Sequence, residues 1–399
     1  MSTRIQSLIA SLLFATLCVV AHADEVEDPA EIEARKQEAF QAGAASIVDD
    51  LNYEFFDSFV GAINQQDMLD RIYGLRLIDQ RIKRQFEENL EGSWAGLIMG
   101  RVVSGRGVPE EGLRFTLLGV ESRGDLGRAV IRADLDNFQF NYFDFDLRLD
   151  QHEKVVIVDW INFLDGRAFS QGVGLYLVLA QPSKSALRKL LDFSNASERE
   201  LFQFGELMKA GRDGNLAKFN ELRDSIQPRF QRQRIVVESG VRVAKNVRRR
   251  REMVAALGIM AEHFPEEPLY SLMLLDHYFP QKKFEEGLAA LQRLRDKLDV
   301  EDAAMDARMS AALLASGNPA EAAAYADLAL GREPGLELGW LSALNARNAV
   351  GDFAGTVAAL TQLEGEFDYD LSPETLEKSR VFGDLMQSEE FAAWLESRP

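Results

Sequence analysis

The sequence predicts an α+β N-terminal domain, helices on a bent antiparallel sheet, followed by an all-α solenoid of paired helices. Three observations predict it. Apolar residues recur every four positions over roughly the first hundred residues, then alternate at period two across four closely spaced segments. Beyond residue 174 the pattern is helical without further strand candidates, and one stretch around Gly317 recurs around Gly351.

The opening of the 399-residue chain stands outside this fold. Arg4 precedes an apolar stretch over 8–20, and Ala21, His22 and Ala23 close it, which is the layout of a secretory signal peptide. As a helix that stretch reaches only about 20 Å, short of the roughly 30 Å hydrocarbon core of a membrane. The expectation is a cleaved protein that begins at Asp24 and is exported to the periplasm. Cys18 is the single cysteine, and Leu17 before it is larger than lipoprotein processing takes. A mature chain without cysteine has no disulfide, no thiolate nucleophile and no zinc–thiolate site.

The expected organisation is a signal peptide over 1–23, then an acidic leader with the start of the first helix over 24–50. An α+β domain over 51–170 and a connecting helix over 171–196 follow. Irregular helical pairs over 197–264 then lead to regular pairs and capping helices over 265–399. Ile47, Leu51, Phe55, Phe59 and Ile63 predict a helix running toward Gln65. Leu75, Ile78, Ile82, Phe86 and Leu90 predict a second, continued around Trp94 toward Gly100. Glycine and proline over 104–112 break the chain.

Strand candidates follow in "LRFTLLGVE", "GRAVIRADLD", "FQFNYFDFDLRLD" and "KVVIVDWINFLD". Phe143, Phe145, Leu147 and Leu149 alternate with Asp144, Asp146, Arg148 and Asp150, the mark of a half-buried strand with a solvated acidic face. Upstream, Phe138, Phe140 and Tyr142 keep the period in the opposite phase, which predicts a bulge between Tyr142 and Phe143. The order of helices and long hairpin strands resembles the nuclear transport factor 2-like (cystatin-like) fold. The resemblance implies a cone whose mouth holds a small ligand or a few catalytic polar groups.

In the second half, Ser197 and Glu200 form a capping box ahead of Leu201 and Phe202, and Gly211 ends that helix. "ASGNPAEAAAYADLALGREPG" aligns with "AVGDFAGTVAALTQLEGEFDY", which sets Gly317 in register with Gly351. A third copy, "FPQKKFEEGLAALQRLRDKLD", sets Phe284 in register with Pro319. Helical pairs repeating at about this interval resemble tetratricopeptide repeats. Tyr278, Gly317, Ala322, Ala329, Pro334, Trp340 and Gly351 stand where that family has its aromatic, turn, small packing, proline and tryptophan positions. Ser310 and Leu344 depart from the first-helix glycine, and Gly287 stands in for Ala322. The whole resembles exported bacterial repeat proteins, with a polar cap beginning near Ser372 and Ser388. The resemblance implies a protein partner in a concave groove lined by Asp276, Arg308, Asn345 and Asn348. Ala315 and Ala349 occupy the register where a carboxylate clamp has lysine, which argues against such a clamp.

The formal charge of −19 is uneven: nine bases against Glu238 over 228–251, then 27 acids against 11 bases over 252–399. An acidic chain is a poor binder of nucleic acid, and no such partner is expected. Arg248, Arg249, Arg250 and Arg251 run against the trend, either touching an anionic membrane surface, or pairing with the acidic helices that follow, or simply staying solvated. His152, His263 and His277 have no neighbour at metal-ligand or base spacing, and no nucleophile-elbow, P-loop or metalloprotease motif occurs. No metal, cofactor or catalysis is therefore expected. Asp159 is the one catalytic candidate, an acid interrupting the apolar run between Ile157 and Ile161. The reading is an exported interaction scaffold. Its alternative is a small apolar ligand or lipid held or converted in the cone, with the helical half as docking module.

Overall fold

The computed structural model describes residues 28–398 except 54–55, 91, 103–112, 136–137, 182–183, 192–195 and 248. The expected signal peptide, the 104–112 segment and Arg248 lie outside the described residues.

Helix α1 (Pro29–Asn52) begins where the Asp28 carboxylate accepts from the Ala30 amide at 3.0 Å, with proline in the first turn. Phe40, Ala44, Ile47, Val48 and Leu51 form its buried stripe. The single helix expected toward Gln65 is instead interrupted: α2 (Phe56–Gly61) and α3 (Gln65–Ile72) follow separately. The reason lies in the backbone between them. Asn64 donates to the Ile157 carbonyl and Ile157 donates to Ala62, both at 2.8 Å, so the chain leaves helical geometry to pair with a strand. Likewise α4 (Gln80–Leu90) and α5 (Trp94–Val102) are two helices rather than one.

The strands β1 (Arg114–Arg123), β2 (Leu126–Asp134), β3 (Phe140–Leu149), β4 (Val155–Asn162) and β5 (Arg167–Ala168) form one antiparallel sheet in sequence order. The bulge expected between Tyr142 and Phe143 is absent. Arg132 faces Tyr142 and Ile131 faces Phe143 in unbroken register, and the irregularities fall at Leu117/Gly119 and Asp146/Leu147. The change of phase has another cause: both faces of β3 are covered. Phe143, Phe145 and Leu147 pack with α1 and α2 side chains such as Phe40 and Phe59. Phe140 and Tyr142, with Val130 and Phe163, enter a second core built from the helical half. Asp144, expected on a solvated face, is buried there.

That half comprises α6 (Phe169–Ala180), α7 (Lys184–Leu190), α8 (Glu198–Arg212), α9 (Leu216–Ser225), α10 (Arg234–Asn246), α11 (Arg250–His263) and α12 (Ser271–Tyr278). It continues through α13 (Phe284–Leu298), α14 (Ala303–Ala315), α15 (Pro319–Arg332), α16 (Glu337–Val350), α17 (Phe353–Phe367) and α18 (Glu389–Ser397). The Ser197–Glu200 capping box is formed in full. Helices α13, α15 and α17 begin at Phe284, Pro319 and Phe353, in nearly equal steps along the chain. Ala322 and Ala329 are fully buried, as close helix approach requires, and Gly317 and Gly351 take the left-handed conformation at φ 86° and 77°. Trp340 donates to the Pro334 carbonyl at 2.7 Å across the turn between α15 and α16, and Tyr278 is buried at the end of α12.

Candidate functional site: the sheet junction and an open cleft

The four groove residues do not share one free surface. Arg308, on α14, donates to the Phe138 carbonyl at 2.6 Å and lies 4.8 Å over the Phe140 ring. Burial pushes its guanidinium pKa down, and the Asp276 charge draws it partly back. Arg308 therefore belongs to the junction with the sheet, and Asp276, close enough for its charge to act on Arg308, is exposed. Asn348 is buried and donates to Val381 at 2.9 Å, tying α16 to the C-terminal segment. Asn345 is exposed, its amide turned back on Leu341 of its own helix at 2.7 Å.

The junction is held by charge. Arg132 is fully buried and contacts Asp302 at 2.5 Å, Asp134 at 2.7 Å and Glu333 at 2.9 Å. Tyr142 donates to the other Asp302 oxygen at 2.5 Å, which also accepts from the Met305 amide and so caps α14. Burial first, then the Asp302 charge, hold the Tyr142 phenol pKa well above its usual value. Arg128 forks onto Asp144 at 2.7 and 3.1 Å and reaches the Leu298 carbonyl at 2.8 Å. These groups span some 170 positions of chain, a relation invisible to local pattern.

Asp159 is an anchor. Its oxygens accept from the Trp160 amide at 2.9 Å and from the Ser170 amide and hydroxyl at 3.1 and 2.5 Å, with Arg71 at 3.8 Å. Burial raises its pKa and these bonds oppose the rise. The carboxylate fastens β4 to the first turn of α6, where the amide groups are otherwise unpaired. Arg249, Arg250 and Arg251 are exposed at the start of α11, and Arg249 pairs with Glu252 at 3.7 Å.

A different place gathers an apolar wall and basic groups. Three helices each lend one stripe to an open cleft of about 520 Å³: Gly172, Leu175, Tyr176 and Leu179 on α6; Leu201, Gly205, Met208 and Arg212 on α8; Ile235, Ser239, Arg242 and Asn246 on α10. The α6 set runs i, i+3, i+4, i+7 and the α8 and α10 sets i, i+4, i+7, i+11, each one face of a helix. Tyr176 and Phe202 are exposed at its rim, at 53% and 67%. Arg167, Lys209, Arg212 and Arg242 stand in the lining against one carboxylate, Glu206. Arg167 and Arg242 also border an adjoining chamber of about 60 Å³ with Asn162, Asp165 and Glu238. Glu238 accepts from Arg167, Arg234 and Tyr270. Burial, then the neighbouring Arg242 charge, lower the Arg167 pKa to about 10. Sequence reasoning missed this cleft. The available signal was glycine inside helical patterns: Gly172 and Gly205 interrupt α6 and α8, each costing about 1 kcal/mol against alanine.

No family model and no curated protein matches the chain. Among solved structures, a MamA point mutant is similar at TM-score 0.31 and 14% identity, over 41% of this chain and 95% of that one. MamA MSR-1 C2 is similar at TM-score 0.33 and 12% identity, over 43% of this chain and 98% of that one.

Proposed function

We propose that this chain is a non-catalytic scaffold for protein–protein interaction, exported to the periplasm. In this reading tetratricopeptide-type pairs are backed by a nuclear transport factor 2-like domain. The observation that supports it is the even succession of α13, α15 and α17, which start at Phe284, Pro319 and Phe353, with alanine buried where pairs meet. Stacked pairs of this kind give a rigid, extended surface. In its proximal part Arg308 is engaged by the chain's own turn before β3, so the partner's share in this reading is the distal part around Asn345.

Because sheet and helices share a core, the test uses the whole chain rather than its halves. In-cell crosslinking of wild type and Asn345→Arg, with mass spectrometry of what is captured, is the measurement. The expected outcome is a discrete protein partner on wild type that the variant loses. Equal capture by both would move the interface away from α16. Sequencing the purified protein from its N-terminus tests export: the expected first residue is Asp24, and a start at Met1 would end the periplasmic reading.

A further inference from the structure

The cleft between α6, α8 and α10 has the volume of a small-ligand site, and its lining mixes apolar side chains of three helices with charged and amide groups. Glycine keeps it open. A Cβ added at Gly205 would meet nothing within 4 Å, and one at Gly172 would touch the Arg167 side chain at 3.4 Å. Arg167 is already paired with Glu238, and the bases that remain in the lining, Lys209, Arg212 and Arg242, stand against Glu206 on a chain of net charge −19. Such a lining selects an anion, and the apolar stripes select a hydrocarbon tail.

We propose that this cleft binds a single-chain fatty carboxylate, its head at Arg167 and Arg242 and its chain along Leu175, Leu179, Leu201 and Met208. The adjoining chamber, of mixed lining, has room for a water beside the head group. Burial first, then the Arg242 charge, lower the Arg167 pKa, and an incoming carboxylate would oppose both. A helical peptide of ten residues is about 15 Å long and 10 Å across, roughly twice the cleft volume, so one extended chain is the better occupant. This site is separate from the distal scaffold surface and does not depend on it.

The test is calorimetric titration of the full chain with dodecanoate, below its micelle-forming concentration, beside dodecyltrimethylammonium of equal length and opposite charge. Gly205→Leu fills the cleft without backbone strain and should weaken dodecanoate binding at least about tenfold, the effect of overfilling a packed site. Its thermal melt should be unchanged or higher, because leucine is the better helix former. Gly365→Leu on α17, where an added Cβ also meets nothing, is the control and should bind as wild type does. Arg242→Gln should narrow the preference for the anion over the cation. Saturable binding with this pattern supports the site. The proposal is overturned by absence of saturable binding, by equal affinity for the cation, or by undiminished binding to Gly205→Leu. It is also overturned if an acidic amphipathic peptide binds the cleft and dodecanoate cannot displace it.

Discussion

The two faces of the sheet are built from the same strands and joined to the chain by different physics. The inner face, Ala129, Ile131, Phe143, Phe145 and Trp160, is almost pure hydrocarbon and aromatic surface under α1 to α3 and α6. The outer face adds Arg128, Arg132, Tyr142 and Asp144, tied to the end of α13 and to the Asp302 cap of α14. Apolar contact is non-directional and tolerates sliding. Forked charge pairs fix one register and are costly when half is removed. The contrast suggests a division of labour: burial holds the N-terminal helices on the sheet, and ionic geometry sets where the helical half docks.

The sharpest way to break the contrast is Asp302→Ala. It leaves Arg132 buried with part of its counter-charge gone and removes the α14 cap, so the expected loss is about 3–5 kcal/mol in urea unfolding. A double-mutant cycle with Arg132→Ala should be strongly non-additive, since each change strands the other partner. Additive losses would mean that the pair is solvated and that the outer face is held by its apolar residues alone.

Much of the sheet is legible in the sequence, because four strands at period two need only local pattern, and Phe143, Phe145 and Leu147 mark the inner face correctly. The outer face is not. Asp144 and Arg132 look like solvent-facing positions in an alternating strand, and the partners that bury them lie in the other half of the chain. The aromatic run through Phe140 and Tyr142 is the available clue. It points to a bulge only on the premise that the sheet has one wet face, and here both faces are covered. The repeat period is legible for the opposite reason: each pair contacts its sequence neighbours, so its signal is local. The candidate site fares worse, since Arg308 and Asn348 carry the side chains of a groove but spend their donors on Phe138 and Val381.

Tyr142→Phe sharpens the same comparison with a smaller effect. It removes one hydrogen bond to a charged group, about 1.5–3 kcal/mol. Its diagnostic is pH. The phenol pKa is raised in the folded chain above 10.0, so its contribution is fully present below pH 10 and is lost as pH rises toward the folded value. Wild type should therefore lose stability on the alkaline side faster than Tyr142→Phe, and the gap between them should close. A constant gap from pH 8 to 11 would show that Tyr142 does not exchange its proton with unfolding.

Gly127→Ala tests the inner face, and volume is all it should sense. A Cβ there would stand 2.5 Å from the Phe40 ring, so α1 must shift or the ring must tilt. One methyl group against a ring that can tilt places the expected loss at the lower part of the overpacking range, about 1–2 kcal/mol. No titratable group is altered, so the loss should be the same at pH 7 and at the alkaline end where Tyr142→Phe converges on wild type. Phe40→Leu in the same chain should restore part of the stability by making room, which no change on the outer face can do. A pH-dependent loss in Gly127→Ala would mean that displacing α1 also disturbs the Arg132 cluster through β2, and that the two faces respond as one unit.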